Sequence, residues 1–402
     1  MNNINELLNE LKNESSKCIS CGFCDSVCPT YKNSGYDMAR TARGRAQSGF
    51  IMFKKLSSGE LDIDLSDTFY SCLDCHVCLQ VCPTGIDAGK ISDISKMILS
   101  KMEITKKDEL KLIVKNIMMY RSPMPLNNKS YKWFSDIEFD NSETLLYTGL
   151  MYQLMPYSDM LEKFQKRFGN DLFKRLLHVA SRFNFLSRIA IPSDEKIDYY
   201  SKRLRSIVML LKNNGIKFDF LGYNEPYPGT LLYDYGFIDE FLNYINYVYD
   251  LIKNYKKIIT VDPHTYNILK YVYKNYIKNF NAEIIYYLDL LKKDKLKKLN
   301  IEIAFHDPCN FEGRKKYDGA RKIAETIAYV RYPDRNNDRT FCCGGPDELL
   351  FPDISRNVSY DRYTQLAPLS KNIVTSCPIC LYSLSKNGNT MDLIDIISMS
   401  YD

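Results

Sequence analysis

The sequence lacks any apolar stretch approaching the ~20 residues that a membrane span requires; runs such as Ile207–Leu211 are short. No leader is expected either. Met1–Lys17 is rich in Asn and Glu, with no positive segment ahead of an apolar one, so no secretory signal is expected and the chain reads as cytoplasmic. Charge of one sign is scarce: a net +5 over 402 residues, with no long basic run, gives no support to nucleic-acid binding. Glycine and proline number only 18 and 15, and 45% of residues are apolar, which excludes disordered and collagen-like chains. No G-x-G-x-x-G fingerprint of a dinucleotide site occurs. The length implies two to four domains at ~100–200 residues each.

Cysteine is absent between Cys82 and Cys309, yet the chain carries 13. All fall into three groups: Cys18, Cys21, Cys24, Cys28; then Cys72, Cys75, Cys78, Cys82; then Cys309, Cys342, Cys343, Cys377, Cys380. A secreted disulfide scaffold would be short and would usually hold an even count. Clustering of this kind points to metal ligation.

The first two groups both read C-x2-C-x2-C-x3-C-P, the bacterial ferredoxin run. In it three closely spaced thiolates hold one corner of a [4Fe–4S] cube and the fourth ligates the neighbouring cluster. The expected assignment is therefore crossed: Cys18, Cys21, Cys24 and Cys82 for one cubane cluster, Cys72, Cys75, Cys78 and Cys28 for the other. Structural zinc is the alternative, but it favours paired C-x2-C knuckles with four ligands in total. Pro29 and Pro83 are expected to end each loop, and Gly22 to let backbone approach an inorganic sulfur. The interval from Cys28 to Cys72 is too long for a compact hairpin, and the apolar spacing of Met38–Phe53 predicts a helix, so a helical ferredoxin domain is expected. Arg40, Arg43 and Arg45 would offset cluster charge or form a solvated face. His76, between two ligands, would tune a cluster or lie on a loop surface.

Beyond Pro83 the pattern is helical. Ile91, Ile94 and Ile98 share a face, and Thr105 could cap a helix carrying Leu110, Ile113, Val114, Ile117 and Met118. Arg121–Lys132, with two prolines and two asparagines, reads as a boundary. From about residue 141, short apolar strands alternate with helical patterns: Thr144–Thr148, Ile216–Leu221, Lys257–Val261, Ile301–Phe305 and Asn372–Thr375. That is α/β organisation with mostly parallel strands. Phe241–Tyr255 reads as an amphipathic helix with a stripe of Phe241, Tyr244, Ile245, Val248 and Ile252.

A repeat lies within this half. Ile258–Thr265 aligns with Ile373–Cys380, each a strand running into X-Pro and then a helix; Leu146–Leu150 aligns with Phe305–Cys309. In this register Asp262, Thr265 and Leu150 stand where the second copy has cysteine. Asn224–Gly229 loosely matches Cys342-Cys343-Gly344, and Tyr157–Leu186 is an inserted helical stretch. The five thiols of the third group sit at strand ends, where open α/β sheets place sites. Adjacent cysteines strain a regular tetrahedral site but can span two irons of an opened cluster, and five ligands exceed a cubane's four. Zinc held by four of the five is the alternative.

These motifs, with Ala42-Arg43-Gly44-Arg45, His306-Asp307-Pro308-Cys309, Cys342-Cys343-Gly344-Gly345 and Cys377-Pro378-Ile379-Cys380, resemble the CCG-domain iron–sulfur subunit family. That family includes the D-type subunit of heterodisulfide reductase, the glycolate oxidase iron–sulfur subunit and the C-type subunit of anaerobic glycerol-3-phosphate dehydrogenase. The resemblance implies an α-helical two-cluster ferredoxin domain with linker helices (residues 1–120), then two repeated α/β CCG-type domains with mostly parallel strands. The first, residues 141–290, is degenerate and without cysteines; the second, residues 291–402, is intact. It also implies that Cys309, Cys342, Cys343, Cys377 and Cys380 hold a noncubane [4Fe–4S] cluster, with His306 donating a hydrogen bond or proton during disulfide cleavage or serving structure. Asp262 and His264 could hold another metal, or the first site is simply lost.

Three functions follow as expectations. One is an electron-transfer subunit of a heterodisulfide-reductase-like complex, acting on a disulfide or related sulfur compound at the third site. Another is a relay for a flavin-dependent 2-hydroxyacid or glycerol-3-phosphate dehydrogenase passing electrons to quinone. The last is a non-catalytic zinc-stabilised module. Expected partners are a flavoprotein or other redox subunit and a membrane quinone-reactive subunit, which would hold the chain at the inner face of the membrane; no nucleic acid is expected.

Overall fold

The computed structural model describes residues 3–60, 64–104, 108–169, 172–173, 175, 191–312 and 317–401. Its N-terminal part is helical. Asn3 and Glu6 form a capping box that starts the helix Ile4–Ser15, and its buried Leu7 and Leu11 pack toward helices Ala42–Ser57 and Ala88–Lys101. Gly49 lies where the three meet: a Cβ there would stand 2.7 Å from Ile91 Cγ2 and 3.1 Å from Leu11 Cδ1. The single helix expected over Met38–Phe53 is divided. A 3-10 turn, Met38–Arg40, precedes Thr41, whose Oγ1 accepts from Gly44 N at 2.9 Å to cap Ala42–Ser57. Gly44 permits this turn, since a Cβ would fall 1.9 Å from the Met38 carbonyl oxygen. Pro29 follows the last cysteine of the first run and opens the short helix Pro29–Asn33, where its missing N–H costs nothing. Ile91, Ile94 and Ile98 are buried on Ala88–Lys101, and Leu110 and Ile117 on Asp108–Tyr120; Thr105 lies outside the described residues.

Among the described residues two four-stranded sheets follow, both wholly parallel. The first orders its strands β2-β1-β3-β4, with β1 Thr144–Tyr147, β2 Asp219–Phe220, β3 Lys257–Thr260 and β4 Glu283–Tyr286. The second repeats that order as β6-β5-β7-β8, with β5 Glu302–His306, β6 Tyr329–Arg331, β7 Ile373–Thr375 and β8 Thr390–Asp392. Each pair is joined through helices, as parallel strands require. The central strands β1, β3, β5 and β7 fall on four of the expected segments. Ile216–Leu221 contracts to the two residues of β2, and β4, β6 and β8 were not expected; all four lie at sheet edges, paired on one side only. Helix Ile238–Ile252 starts and ends three residues before the expected span, and buries the expected stripe. Helix Met151–Phe168 covers the beginning of the Tyr157–Leu186 stretch, of which 176–190 lie outside the described residues.

The helical part is pinned to the first sheet unit. Lys96, 1% exposed, pairs with Asp74 at 2.8 Å and donates to the Asp234 carbonyl at 2.9 Å. Gly236 comes so close that a Cβ would lie 2.4 Å from the Lys96 carbonyl carbon. The two sheet units are joined by Tyr152 donating to Asp392 at 2.8 Å and by Arg203 paired with Asp395 at 2.6 Å. Among the described residues, no helix is long and apolar enough to cross a membrane.

Candidate metal centres

Two thiol-lined hollows lie side by side in the helical part. One is lined by Cys18, Cys21, Cys24, Cys78 and Cys82, with Arg43 on its wall. The other is lined by Cys28, Cys72, Cys75 and Cys78, with Arg45 and His76. Each thus receives the fourth cysteine of the other run. The two runs also close alike: Thr30 Oγ1 lies 3.2 Å from Cys28 Sγ and Thr84 Oγ1 3.4 Å from Cys82 Sγ, while Ile86 N donates to Cys82 Sγ at 3.3 Å. Arg45, 1% exposed, donates to the Ser71 carbonyl at 2.8 Å and to Cys28 Sγ at 3.7 Å. Of the three arginines it is the buried one facing sulfur; Arg43 pairs with Asp25 and Arg40 with Asp37 and Asp67. Gly22 serves its turn, adopting φ +82° before helix Phe23–Val27.

His76 is not the loop-surface residue that its position suggests. It is 9% exposed, and Nδ1 lies 2.6 Å from Asp87 Oδ2. A left-handed backbone (φ +55°) turns the ring onto the start of helix Ala88–Lys101, which Asp87 also caps. Burial raises the Asp87 carboxyl, but His76 and the capping N–H groups outweigh it and hold the acid below its ordinary range.

The third group lies at the C-terminal ends of β5 and β7. His306 ends β5, and Cys309 opens the short helix Cys309–Glu312. Cys377 caps helix Pro378–Ser385, which carries Cys380. Cys342 and Cys343 precede Gly344 (φ +84°), where a Cβ would lie 2.4 Å from the Ser355 carbonyl oxygen. All five thiols are buried. Donor atoms of His306, Cys343 and Cys380 lie within 4.8 Å of one another. Hydrogen bonds from Cys342 and then Cys380, with His306 beside them, draw Cys343 well below the ordinary thiol range, while burial pushes Cys377 up.

Arg362, fully buried, explains the orientation of His306. Its Nε donates to His306 Nδ1 at 2.9 Å and its Nη1 to the Arg335 carbonyl at 2.8 Å. An acceptor at Nδ1 places the proton of the neutral ring on Nε2, on the side of Cys343 and Cys380. Burial keeps the imidazole below its ordinary value, and the ring is neutral at pH 7. Asp307 holds the loop ahead of the paired cysteines, accepting from Arg321 at 3.1 Å and Asn337 N at 3.0 Å. The second and third groups touch: Cys75, Cys309 and Cys342 pack in one apolar cluster with Leu73, Val77 and Phe341. Arg335 covers this seam, over the Phe341 ring at 4.7 Å and donating to the Val27 carbonyl at 2.7 Å.

Thiolate sulfur is the soft donor that iron–sulfur chemistry uses. Burial pushes Cys24 and Cys72 each up to about 12, so thiolates crowded there need the positive charge of a metal. These residues fit iron–sulfur clusters. A family model described as a 4Fe-4S dicluster domain matches residues 14–86, and one described as a cysteine-rich domain matches residues 303–385. The chain is 24% identical to an EtfAB:quinone oxidoreductase of Syntrophomonas wolfei, over 90% of its own length and 54% of the relative's. It is 25% identical to the probable iron-sulfur-binding oxidoreductase FadF of Bacillus subtilis, over 85% and 46%. To the D-type subunit of the dihydromethanophenazine:CoB--CoM heterodisulfide reductase of Methanosarcina barkeri it is 22% identical, over 96% and 93%.

The chain carries a 4Fe-4S dicluster domain and a cysteine-rich CCG domain, and it is similar to iron–sulfur oxidoreductase subunits of the CCG-domain kind.

This iron–sulfur subunit spans about half the length of the first two relatives. The corner of its first sheet that corresponds to the third thiol group is filled. Gly229 (φ +85°) opens the next helix as Gly344 does, which pairs Tyr227 and Pro228 with Cys342 and Cys343. Tyr227 is 2% exposed, and Glu225 accepts from Thr148 N, from Gly149 N at 3.0 Å and from Thr148 Oγ1 at 2.7 Å. Gly149 packs so tightly that a Cβ would lie 1.9 Å from Thr265 Oγ1. Asp262 caps its helix through His264 N and Thr265 N, and the His264 ring is hydrogen-bonded to Asn310 at 3.1 Å. Neither belongs to a metal-sized group of His, Cys, Asp and Glu donors among the described residues.

Between the two corners lies a chamber that sequence reasoning missed. Its lining comes from helices Asp108–Tyr120 and Met151–Phe168, from Tyr227, Thr230 and His264 of the first sheet unit, and from Gly345, Ile379 and Tyr382 of the second. Helix Met151–Phe168 carries a regular apolar spacing that hints at a buried face, but nothing in the sequence says that the face borders a cavity.

Proposed function

We propose that this iron–sulfur protein passes electrons within a heterodisulfide-reductase-like oxidoreductase complex, from its N-terminal thiols to a reaction site at the third group. Cys18, Cys21, Cys24 and Cys82 would hold one cubane cluster, and Cys72, Cys75, Cys78 and Cys28 the second. Cys309, Cys342, Cys343, Cys377 and Cys380 would hold a noncubane one. When bound, these clusters supply one-electron transfer. Residues 141–290 would be a copy of the CCG domain that has lost its thiols and serves as scaffold.

The observation that carries this reading is the seam at which Cys75 packs against Cys309 and Cys342. At the other end Cys21 is exposed, so the three groups run from the surface to the buried corner. The chain's own residues prepare that corner. Arg362 fixes the His306 tautomer, His306 presents Nε2–H toward Cys343 and Cys380, and the packed apolar shell excludes water. A disulfide or related sulfur compound is the substrate this favours, with His306 positioned to hydrogen-bond a sulfur.

A second reading has its own support. The apolar chamber beside the third group suits a lipophilic acceptor, in line with a relay that passes electrons toward quinone, as the name of the Syntrophomonas relative describes for that protein. A flavoprotein or another redox subunit would be the donor in either case. Iron and acid-labile sulfide analysis of anaerobically purified protein tests both readings. About twelve irons per chain are expected from three four-iron clusters; zinc without sulfide overturns both. A new paramagnetic signal on adding thiol to the oxidised protein favours the disulfide reading, and its absence counts against that reading.

A further inference from the structure

Helix Met151–Phe168 buries Met155, Glu162 and Gln165 on one side, yet its last turns also present aromatic rings to solvent. Phe164 and Phe168 are each 41% exposed, with ring centroids 4.5 Å apart. Gly169 (φ +79°) ends the helix and turns the chain, and Leu172, 44% exposed, follows. Cations surround this apolar ridge: Lys163, Lys166, Arg167 and Arg175 are all exposed. Lys163 pairs with Asp159 at 2.8 Å and Lys166 with Glu162 at 2.7 Å, while Arg167 lies 5.5 Å from the centre of the Phe168 ring. Both acids have a second lysine: Lys196 stands 3.3 Å from Asp159 and Lys386 3.0 Å from Glu162. Lys163 and Lys166 are therefore surplus to local neutrality, and water-exposed pairs of this kind give way readily to another anion. In sequence, residues 163–191 hold seven Lys or Arg and one acid, Asp171.

We propose that this ridge docks the protein on an anionic lipid surface, with Phe164, Phe168 and Leu172 entering the acyl boundary and the four cations meeting headgroup phosphates. Membrane placement was expected only through a partner subunit; here the chain's own surface makes the contact. The electron-transfer reading neither requires this contact nor falls with it. Scattered apolar side chains on a surface need no explanation, but two stacked rings and a leucine ringed by cations form a patch of one chemistry. An apolar ridge with Lys and Arg beside it is the composition that lies in a bilayer interface, its rings below the headgroups and its charges among them. An acidic protein surface would pair with the cations and leave the rings against polar groups. An apolar protein surface would cover the rings and strip water from the cations without replacing it. A bilayer with anionic headgroups supplies both partners at once.

The test uses the iron-replete full chain and vesicles of equal parts phosphatidylcholine and phosphatidylserine, with pure phosphatidylcholine vesicles as reference. Co-sedimentation is expected to show binding about tenfold or more tighter on the mixed vesicles, weakening as salt rises. Replacing Lys166→Gln and Arg167→Gln together should weaken it by about fivefold per cation. Replacing Phe164→Ser and Phe168→Ser together should weaken it by about tenfold or more, with iron content unchanged. A diazirine-bearing phosphatidylcholine in the mixed vesicles should label peptides within residues 163–175 of the unaltered protein, a readout that does not depend on any variant folding. Equal binding to both kinds of vesicle, labelling that spares residues 163–175, or variants that bind like the parent would each overturn the proposal. Capture by immobilised polyglutamate as tight as by mixed vesicles, and undiminished in the Phe164→Ser, Phe168→Ser protein, would give the ridge to an acidic protein and overturn it too. Iron-replete protein that ignores vesicles overturns the lipid contact alone. Iron-free protein that still docks on them overturns only the electron-transfer reading.

Discussion

The two sheet units share a strand order and a glycine-capped helix start, yet their functional corners are built from opposite materials. In the second unit, Cys309, Cys342, Cys343, Cys377 and Cys380 converge on a corner fixed by Arg362 and Asp307. In the first, Tyr227, Thr265 and Asp262 stand at three of the matching places, Asp262 accepting from Thr265 N and the neighbouring Glu225 from Thr148. The difference teaches that the architecture does not need the site. A backbone shaped around a metal corner closes over tyrosine and carboxylate once the thiols are gone, with Glu225 and one Asp262 oxygen accepting from backbone N–H groups. What the closed corner leaves is an apolar wall, and the chamber lies between that wall and the surviving thiols.

The strongest way to break the comparison is Cys343→Ser. The variant should lose about four of about twelve irons, while Tyr227→Phe, at the place of the neighbouring Cys342, should lose none; iron analysis reads both. A Cys343→Ser protein with full iron content would refute the ligand role. Next in size, Arg362→Gln removes charged hydrogen bonds to His306 and the Arg335 carbonyl. It should cost about 1.5–3 kcal/mol in denaturant unfolding, the range for bonds to charged groups. Nitrogen NMR should then find the His306 proton on Nδ1 as well as Nε2. Smaller again, alanine at Gly344 or Gly229 forces a side chain into the left-handed region at about 1–2 kcal/mol. Gly344→Ala should be the worse, because its Cβ meets the rigid Ser355 carbonyl at 2.4 Å whereas at Gly229 it meets the Tyr244 ring at 3.2 Å.

Much of this was legible in the chain. The spacing of the first two cysteine runs predicts a crossed fourth ligand, and each hollow is lined by the last cysteine of the other run. Strands β1, β3, β5 and β7 were readable because central strands of a parallel sheet are buried on both faces and read as apolar runs. Of the edge strands only β2 lay within an expected segment: Tyr329–Arg331, for one, is largely exposed and only three residues long, so it carries no periodicity. Neither the partnership of Arg362 with His306 nor the burial of His76 could be read, since each depends on residues brought together by the fold. The chamber draws its wall from segments spread between residues 109 and 382, and no local pattern marks it.

The last prediction concerns the filled corner. Burial pushes Glu225 up to about 8 and Asp262 to about 7, against ordinary values of 4.5 and 3.8. An acid whose folded value is raised stabilises the fold fully below its unfolded value, and that contribution is lost as pH rises through the folded one. The first sheet unit should therefore weaken between about pH 4 and pH 8, a window set by these two groups. Glu225→Gln keeps an amide oxygen for the N–H groups of Thr148 and Gly149 and cannot ionise. It should match the unaltered protein near pH 5 and exceed it near pH 9 by about 1 kcal/mol or more, a rise of about 2–4 °C in Tm for a unit of this size. Asp262 keeps its own share of the slope in both proteins. A variant with the same pH dependence as the parent would mean that Glu225 stays charged in the fold, and that the closed corner holds a carboxylate rather than a carboxylic acid.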